Sequence, residues 1–273
     1  MVKHILIAHD LRSTADLALR RAAQLARQHN ASLTLLHVTD NQLSPRELEV
    51  VKQALDVSLT QYAPPNTQLL ILSGQPAEVI LKQIQEQQAD LLVLGAQHQR
   101  HPLFPGTTLD HIARSCSIAL LLVTNEDAKP YPNALIAMDF SIWACSALST
   151  AYQLLPPAGA LHALNIFEPD KTAIGDGEME FSIQRQLIAQ LLNDEIKRLP
   201  KDGPSLTHEV LRGRMPVALQ EHIRQHQPPL LVLGNRCRGA LACALLGDLV
   251  QHFLHKAPCD VLVVQSSPAP DIS

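Results

Sequence analysis

The sequence predicts two doubly wound α/β units, one following the other along the chain. Three observations lead there. The chain has 273 residues, against ~150 for one typical domain. Landmarks recur in the same order in both halves: ILIAHD ends at Asp10 and ALIAMD at Asp139, and SLTLLHV ends at Val38 and ALHALNI at Ile166. Gly74 in SGQPAEVI matches Gly213 in RGRMPVAL, LLVLG ends at Gly95 and again at Gly234, and HIARSCSIALLLV (111–123) matches HFLHKAPCDVLVV (252–264). An ordered series with only loop-sized differences in spacing marks a duplication. Finally, short apolar runs alternate with longer helical segments, the rhythm of strand–helix–strand units with right-handed crossovers.

The elements of the first half follow in order. Ile5–Ala8, Leu33–Val38, Leu69–Leu72, Leu91–Leu94 and Ala119–Val123 are continuous apolar runs, as expected of strands buried on both faces of a parallel sheet. Between the first two, Ala15, Ala18, Ala22 and Leu25 form one face of a helix, with Ser13 as cap and Asp16 three residues on. Its counterpart starts after Ser141 and uses Ala144, Leu148, Ala151 and Leu155. Gly74 followed by Pro76 opens another helix. Residues 126–133 (EDAKPYPN) break both periodicities, which places domain boundaries at 1–126 and 132–267. Residues 168–180 read as a loop before a helix, with Glu178 and Glu180 as solvated surface, and the Pro-rich tail after Ser266 reads as irregular.

Composition narrows the function. Hydrophobic residues are 46% and charged residues 18%, enough for ordered cores. Aromatics are 3% and the net charge is −4, so neither a base-stacking platform nor a basic footprint for nucleic acid is present. The longest apolar run, Ala240 to Leu246, is far short of the ~20 residues of a membrane span. The start lacks the pattern of a signal peptide, and five cysteines without paired spacing read as free thiols. A cytoplasmic location is therefore expected, with no membrane partner.

The ordered motifs resemble those of the universal stress protein family, here as a tandem pair: a first strand ending in Asp, a GxP helix start, a DLLVLG-type strand and the final strand APCDVLVV. The resemblance covers nearly the whole chain. It implies two five-stranded parallel sheets of strand order 3-2-1-4-5 with helices on both faces, of the adenine-nucleotide alpha-hydrolase-like kind. It also implies a pseudo-two-fold pairing of Ala119–Val123 with Val261–Val264, an intramolecular pseudo-dimer. A homodimer of whole chains stays open, and the protein partner stays unidentified.

Many members of that family bind ATP through Gly, two residues, Gly, nine residues, then Gly with Ser or Thr. Glycines admit phosphates to the backbone, and the last pair opens a helix whose amides favour anions. The first half keeps Gly95, Gly106 with Thr107 and Thr108, Asp10 at the first strand's end, and Val38 where the family packs adenine. His98 replaces the second Gly, and seven residues rather than nine separate it from Gly106. In the second half Gly234 and Gly247 keep their spacing, but Cys237 replaces the middle Gly and Asp248, read as a helix cap, replaces the Ser or Thr. Asp139 and Ile166 remain. The resemblance implies ATP or AMP, with Mg, at the first half. An Asp after a strand equally starts a turn or caps a helix.

His98 with His101, and His252 with His255, lack the local spacing of a zinc site and read as solvent-facing, so no metal site is expected. Cys237, between Arg236 and Arg238, is the candidate reactive thiol, and Cys116, Cys145, Cys243 and Cys259 read as core filling. Motifs of hydrolases, P-loop NTPases, Rossmann dehydrogenases and nucleotide-activating ligases do not occur. The expectation is a non-enzymatic stress-response or regulatory protein. Its alternatives are slow ATP hydrolysis or nucleotide transfer at the first-half site, and a ligand-free scaffold.

Overall fold

The computed structural model describes residues 2–39, 41–96, 108–169, 177–235 and 247–265. The first half runs β1 (His4–Ala8), α1 (Ser13–His29), β2 (Ser32–Thr39), α2 (Pro45–Tyr62), β3 (Gln68–Ser73), α3 (Pro76–Glu86), β4 (Leu91–Gly95), α4 (Thr108–Ser115) and β5 (Ala119–Val123). The second repeats it as β6 (Asn133–Ala137), α5 (Ile142–Leu154), β7 (Ala160–Phe167), α6 (Glu178–Ile196), β8 (Ser205–Arg212), α7 (Met215–His226), β9 (Leu230–Asn235), α8 (Asp248–His255) and β10 (Asp260–Gln265).

All ten strands form one sheet, in the order β3-β2-β1-β4-β5-β10-β9-β6-β7-β8. Each half is therefore a parallel 3-2-1-4-5 sheet. The two join where β5 and β10 pair antiparallel, with Leu121 opposite Leu262. Both segments would otherwise be apolar edges with unpaired backbone groups, and pairing removes that liability.

Helices cover both faces, as continuous apolar strands require. On one face α1, α2, α5 and α6 press Leu19, Leu55, Leu148 and Ile188 onto the sheet. On the other, α3, α4, α7 and α8 contribute Ile80, Ile112, Leu219 and Phe253. Each apolar layer runs across both halves, so neither core ends at the pseudo-two-fold axis.

The 126–133 join is tied down by a buried polar knot. Asp260 accepts hydrogen bonds from the backbone N–H groups of Thr124 and Asn125 at 2.8 Å and from the Tyr131 hydroxyl at 2.5 Å. Its other neighbour is Arg21, with Nε 3.4 Å from Oδ2. The Arg21 guanidinium donates to the carbonyls of Asp127 and Lys129 and lies 3.9 Å over the Tyr131 ring. Arg21 and Asp260 are 2% and 0% exposed, so each charge depends on the other and on these hydrogen bonds. Burial first, then the Asp260 charge, pushes the Tyr131 phenol well above its usual value.

Three local expectations change. The N-cap of α1 is Arg12, without a side-chain bond, and Ser13 is the first helical residue. Asp16 instead accepts from Ser58 Oγ at 2.7 Å and lies 3.1 Å from His9 Nε2, because α2 packs within reach. Gly247 is the N-cap of α8, which puts Asp248 inside the first turn with no cap bond. Glu178 and Glu180 lie in the first turn of α6, where Glu178 pairs with Arg212 at 2.8 Å. Ser141 does cap α5, accepting from the Ala144 N–H at 3.1 Å.

Candidate functional site

In the first half, the sheet reverses direction of travel between β1 and β4, and a cavity of about 170 Å³ opens at the carboxyl ends of the strands there. This switch point is the usual ligand crevice of open α/β sheets. Asp10, Val38, Gly95 and Thr108 all line it. Leu36, Ile80, Leu94 and Ile112 supply its apolar wall. His98, Gly106 and Thr107 lie outside the described residues, as do Cys237, Cys243, His101 and the run 240–246.

Each lining residue has a local cause. The turn after β1 places Leu11 at φ 65°, a strained left-handed conformation for a branched side chain. Asp10 accepts from the Arg12 N–H at 3.1 Å, and the Arg12 Nε lies 3.6 Å from its carboxylate. His9 is buried. Its Nδ1 accepts from the Leu11 N–H at 3.1 Å, so Nε2 carries the proton and points at Asp16. His37 Nδ1 donates to the His9 carbonyl at 2.7 Å and ties β2 to the turn. Thr108 opens α4, whose amino-terminal amides favour an anion.

Gly95 has a packing reason of its own. A Cβ there would lie 2.5 Å from the Thr14 carbonyl oxygen of α1, and at Gly234 one would lie 2.6 Å from the Trp143 carbonyl oxygen of α5. Both glycines let the first helix of their half cross over the fourth strand.

The second half repeats the frame and changes the lining. Asp139 accepts from the Ser141 N–H at 2.8 Å, the same turn that Asp10 makes. Asn165 takes the place of His37, donating to the Met138 carbonyl at 2.9 Å and accepting from Gln184 at 3.0 Å. Ile166 is buried in the apolar layer of that face. Gly247 has open space beside its Cα, but Asp248 sets a carboxylate in the turn that phosphate would need.

Other sequence candidates fall elsewhere. His255 is not solvent-facing: its Nε2 lies 2.8 Å from Asp110 Oδ1, joining α8 to α4 across the halves. His252 contacts Gln220. Cys116 and Cys259 are buried, and burial pushes their thiols up to about 11 and about 12, which makes them unreactive core filling. Cys145 is half-buried. What sequence reasoning missed is a cluster of His162, Glu209 and His222. Its members are on three separate elements, so no local spacing signals it.

A larger cavity, about 850 Å³, lies between the 126–133 join and the second half, lined by Arg21, Tyr131, Arg224 and Lys256 among others. It shares no residue with the first-half crevice. No helix among the described residues is long and apolar enough to cross a membrane.

The profile of the universal stress protein family matches residues 1–124 and again residues 130–265. Universal stress protein D of Escherichia coli is 33% identical over 110 residues, spanning 35% of this chain and 78% of its own length. Universal stress protein A of Salmonella typhimurium is 32% identical over 111 residues, or 36% and 76%. A universal stress protein structure from Archaeoglobus fulgidus superposes with TM-score 0.69 at 16% identity, covering 97% of this chain and 98% of that one. At that identity the likeness speaks to the fold. With its sheet order, its β5–β10 junction and the doubled profile match, this chain belongs to the universal stress protein family, with one family unit in each half.

Proposed function

We propose that this stress-response protein is a cytoplasmic, non-enzymatic regulator whose first-half crevice takes an adenine nucleotide, ATP or AMP, and that its second half is a structural partner. The observation carrying this reading is the convergence of Asp10, Val38, Gly95 and Thr108 on one cavity at the switch point. A volume of about 170 Å³ is below the ~300–1,000 Å³ of pockets that enclose whole drug-sized ligands. It suits one heterocycle on the Val38, Leu36 and Ile80 wall. The ribose would then meet Asp10, and the phosphates would leave past Thr108.

The test is calorimetric titration of the whole protein with ATP and AMP, with and without Mg²⁺, followed by assay of phosphate release. One nucleotide per chain is expected, weakened about tenfold or more by Val38→Trp and unaffected by Asp139→Ala. Absence of saturable binding would favour a ligand-free scaffold. Steady phosphate release, abolished by Asp10→Asn, would favour the hydrolytic reading.

A further inference from the structure

The geometry points to a divalent transition-metal site, of the zinc class, built by His162 of β7, Glu209 of β8 and His222 of α7. It is independent of the nucleotide reading. Ligand atoms of the three residues lie within 4.8 Å of one another. They meet because β7 and β8 pair with His162 opposite Thr207 and Leu164 opposite Glu209. Period-two alternation then puts His162, Thr207 and Glu209 on one face of the sheet. On that face α7 packs, and its last turns bring His222 down, with His226 one turn on.

Several features suit a metal. His162 Nδ1 is engaged by Thr207 Oγ1 at 2.9 Å, which leaves Nε2 to face Glu209, 3.7 Å away. An outer partner on the far nitrogen is how ligating histidines are held. His222 is 6% exposed and sits between two other rings, its centroid 5.6 Å from that of His162 and 4.1 Å from that of His226. A separate cavity of about 290 Å³ abuts the cluster, lined also by Asn133, Ala160 and Pro228, so a cation and a water have room.

Tetrahedral bonds of ~2.0–2.1 Å put ligand atoms about 3.4 Å apart. Closing from the present spacing takes movements on the order of 1 Å, within reach of side-chain rotation at Glu209, which is 46% exposed. Two nitrogens and one oxygen favour Zn²⁺, Co²⁺ or Ni²⁺ over Mg²⁺ or Ca²⁺, which want oxygen ligands. His162 lies near the start of β7, toward the amino-terminal ends of the strands, whereas Asp139 and the switch point lie at their carboxyl ends.

The experiment is titration of untagged, chelator-treated protein with Zn²⁺ alone, read by calorimetry, with Co²⁺ absorption in the visible as a geometric readout. One equivalent of tight Zn²⁺ is expected, with intense tetrahedral Co²⁺ bands and no response to Mg²⁺. His162→Ala and His222→Ala should lose that equivalent. Glu209→Gln, a change at a half-exposed side chain, should weaken it with the metal-free fold intact, and Thr207→Val should weaken it ~10-fold. No saturable Zn²⁺ binding would overturn the site. So would equal binding by wild type and Glu209→Gln with unchanged Co²⁺ bands, since histidines elsewhere would then hold the metal.

Discussion

Gly95 and Gly234 illustrate how a motif residue can have a structural cause. Each sits where the first helix of its half touches the fourth strand, and a methyl group would meet a carbonyl oxygen at 2.5 Å or 2.6 Å. Neither oxygen belongs to a flexible side chain, so the backbone itself must shift. We expect Gly95→Ala and Gly234→Ala to destabilise the protein by ~1–3 kcal/mol each, measured as a shift in urea midpoint at constant slope. No shift would mean the helix yields. The histidines supply a second residue-scale expectation. His29, His162 and His222 are held below the usual 6.5, with burial the leading cause. The unfolded chain therefore takes up more protons between the folded values and 6.5, and stability rises with pH across that window. Urea midpoints should fall as pH drops below about 6.5, and imidazole resonances of these three should titrate below that value. Midpoints at or above it would contradict the burial argument.

At the scale of elements, the junction of β5 and β10 matters most. Its backbone pairing is backed by the knot beneath it, in which Asp260 receives two N–H groups, a phenol and Arg21. Removing the carboxylate strands Arg21, a buried cation, among carbonyls. Asp260→Ala should cost about 3–5 kcal/mol, whereas Tyr131→Phe, which deletes one hydroxyl, should cost ~1–3 kcal/mol. Chemical denaturation of both variants checks the ranking, and equal losses would mean the hydroxyl rather than the ion pair governs the knot. A second link acts on the opposite face. Gln265 of β10 donates to the Ala113 carbonyl of α4 at 2.8 Å and accepts from Asn235 at 2.9 Å, close to the His255–Asp110 contact.

Across the whole molecule, both apolar layers and the sheet continue through the junction of the two duplicated units. Unfolding should therefore be a single transition. The sole tryptophan, Trp143, reports on α5 of the second half, while far-ultraviolet circular dichroism reports on both. Coincident urea curves are expected, and a dichroism step without a matching fluorescence step would show the halves unfolding independently. Duplication also frees one copy to diverge. The first half has a lined crevice at the switch point, while at the matching position of the second half Asn165, in place of His37, accepts from Gln184.

Much of this was legible in the residues alone. Continuous apolar runs named the strands, three-to-four spacing named the helices, and the recurring landmarks showed the duplication, because burial on both faces leaves a periodic trace in the chain. The places of Asp10, Val38, Gly95 and Thr108 were also legible, at the ends of those strands and the start of a helix. Tertiary structure alone decided which distant side chains meet. Arg21 finds Asp260, His255 finds Asp110, and His162 finds Glu209 and His222 only once register and helix packing are set. Periodicity tells which way a side chain points, but the partner it meets depends on how elements far apart in the chain come to lie side by side.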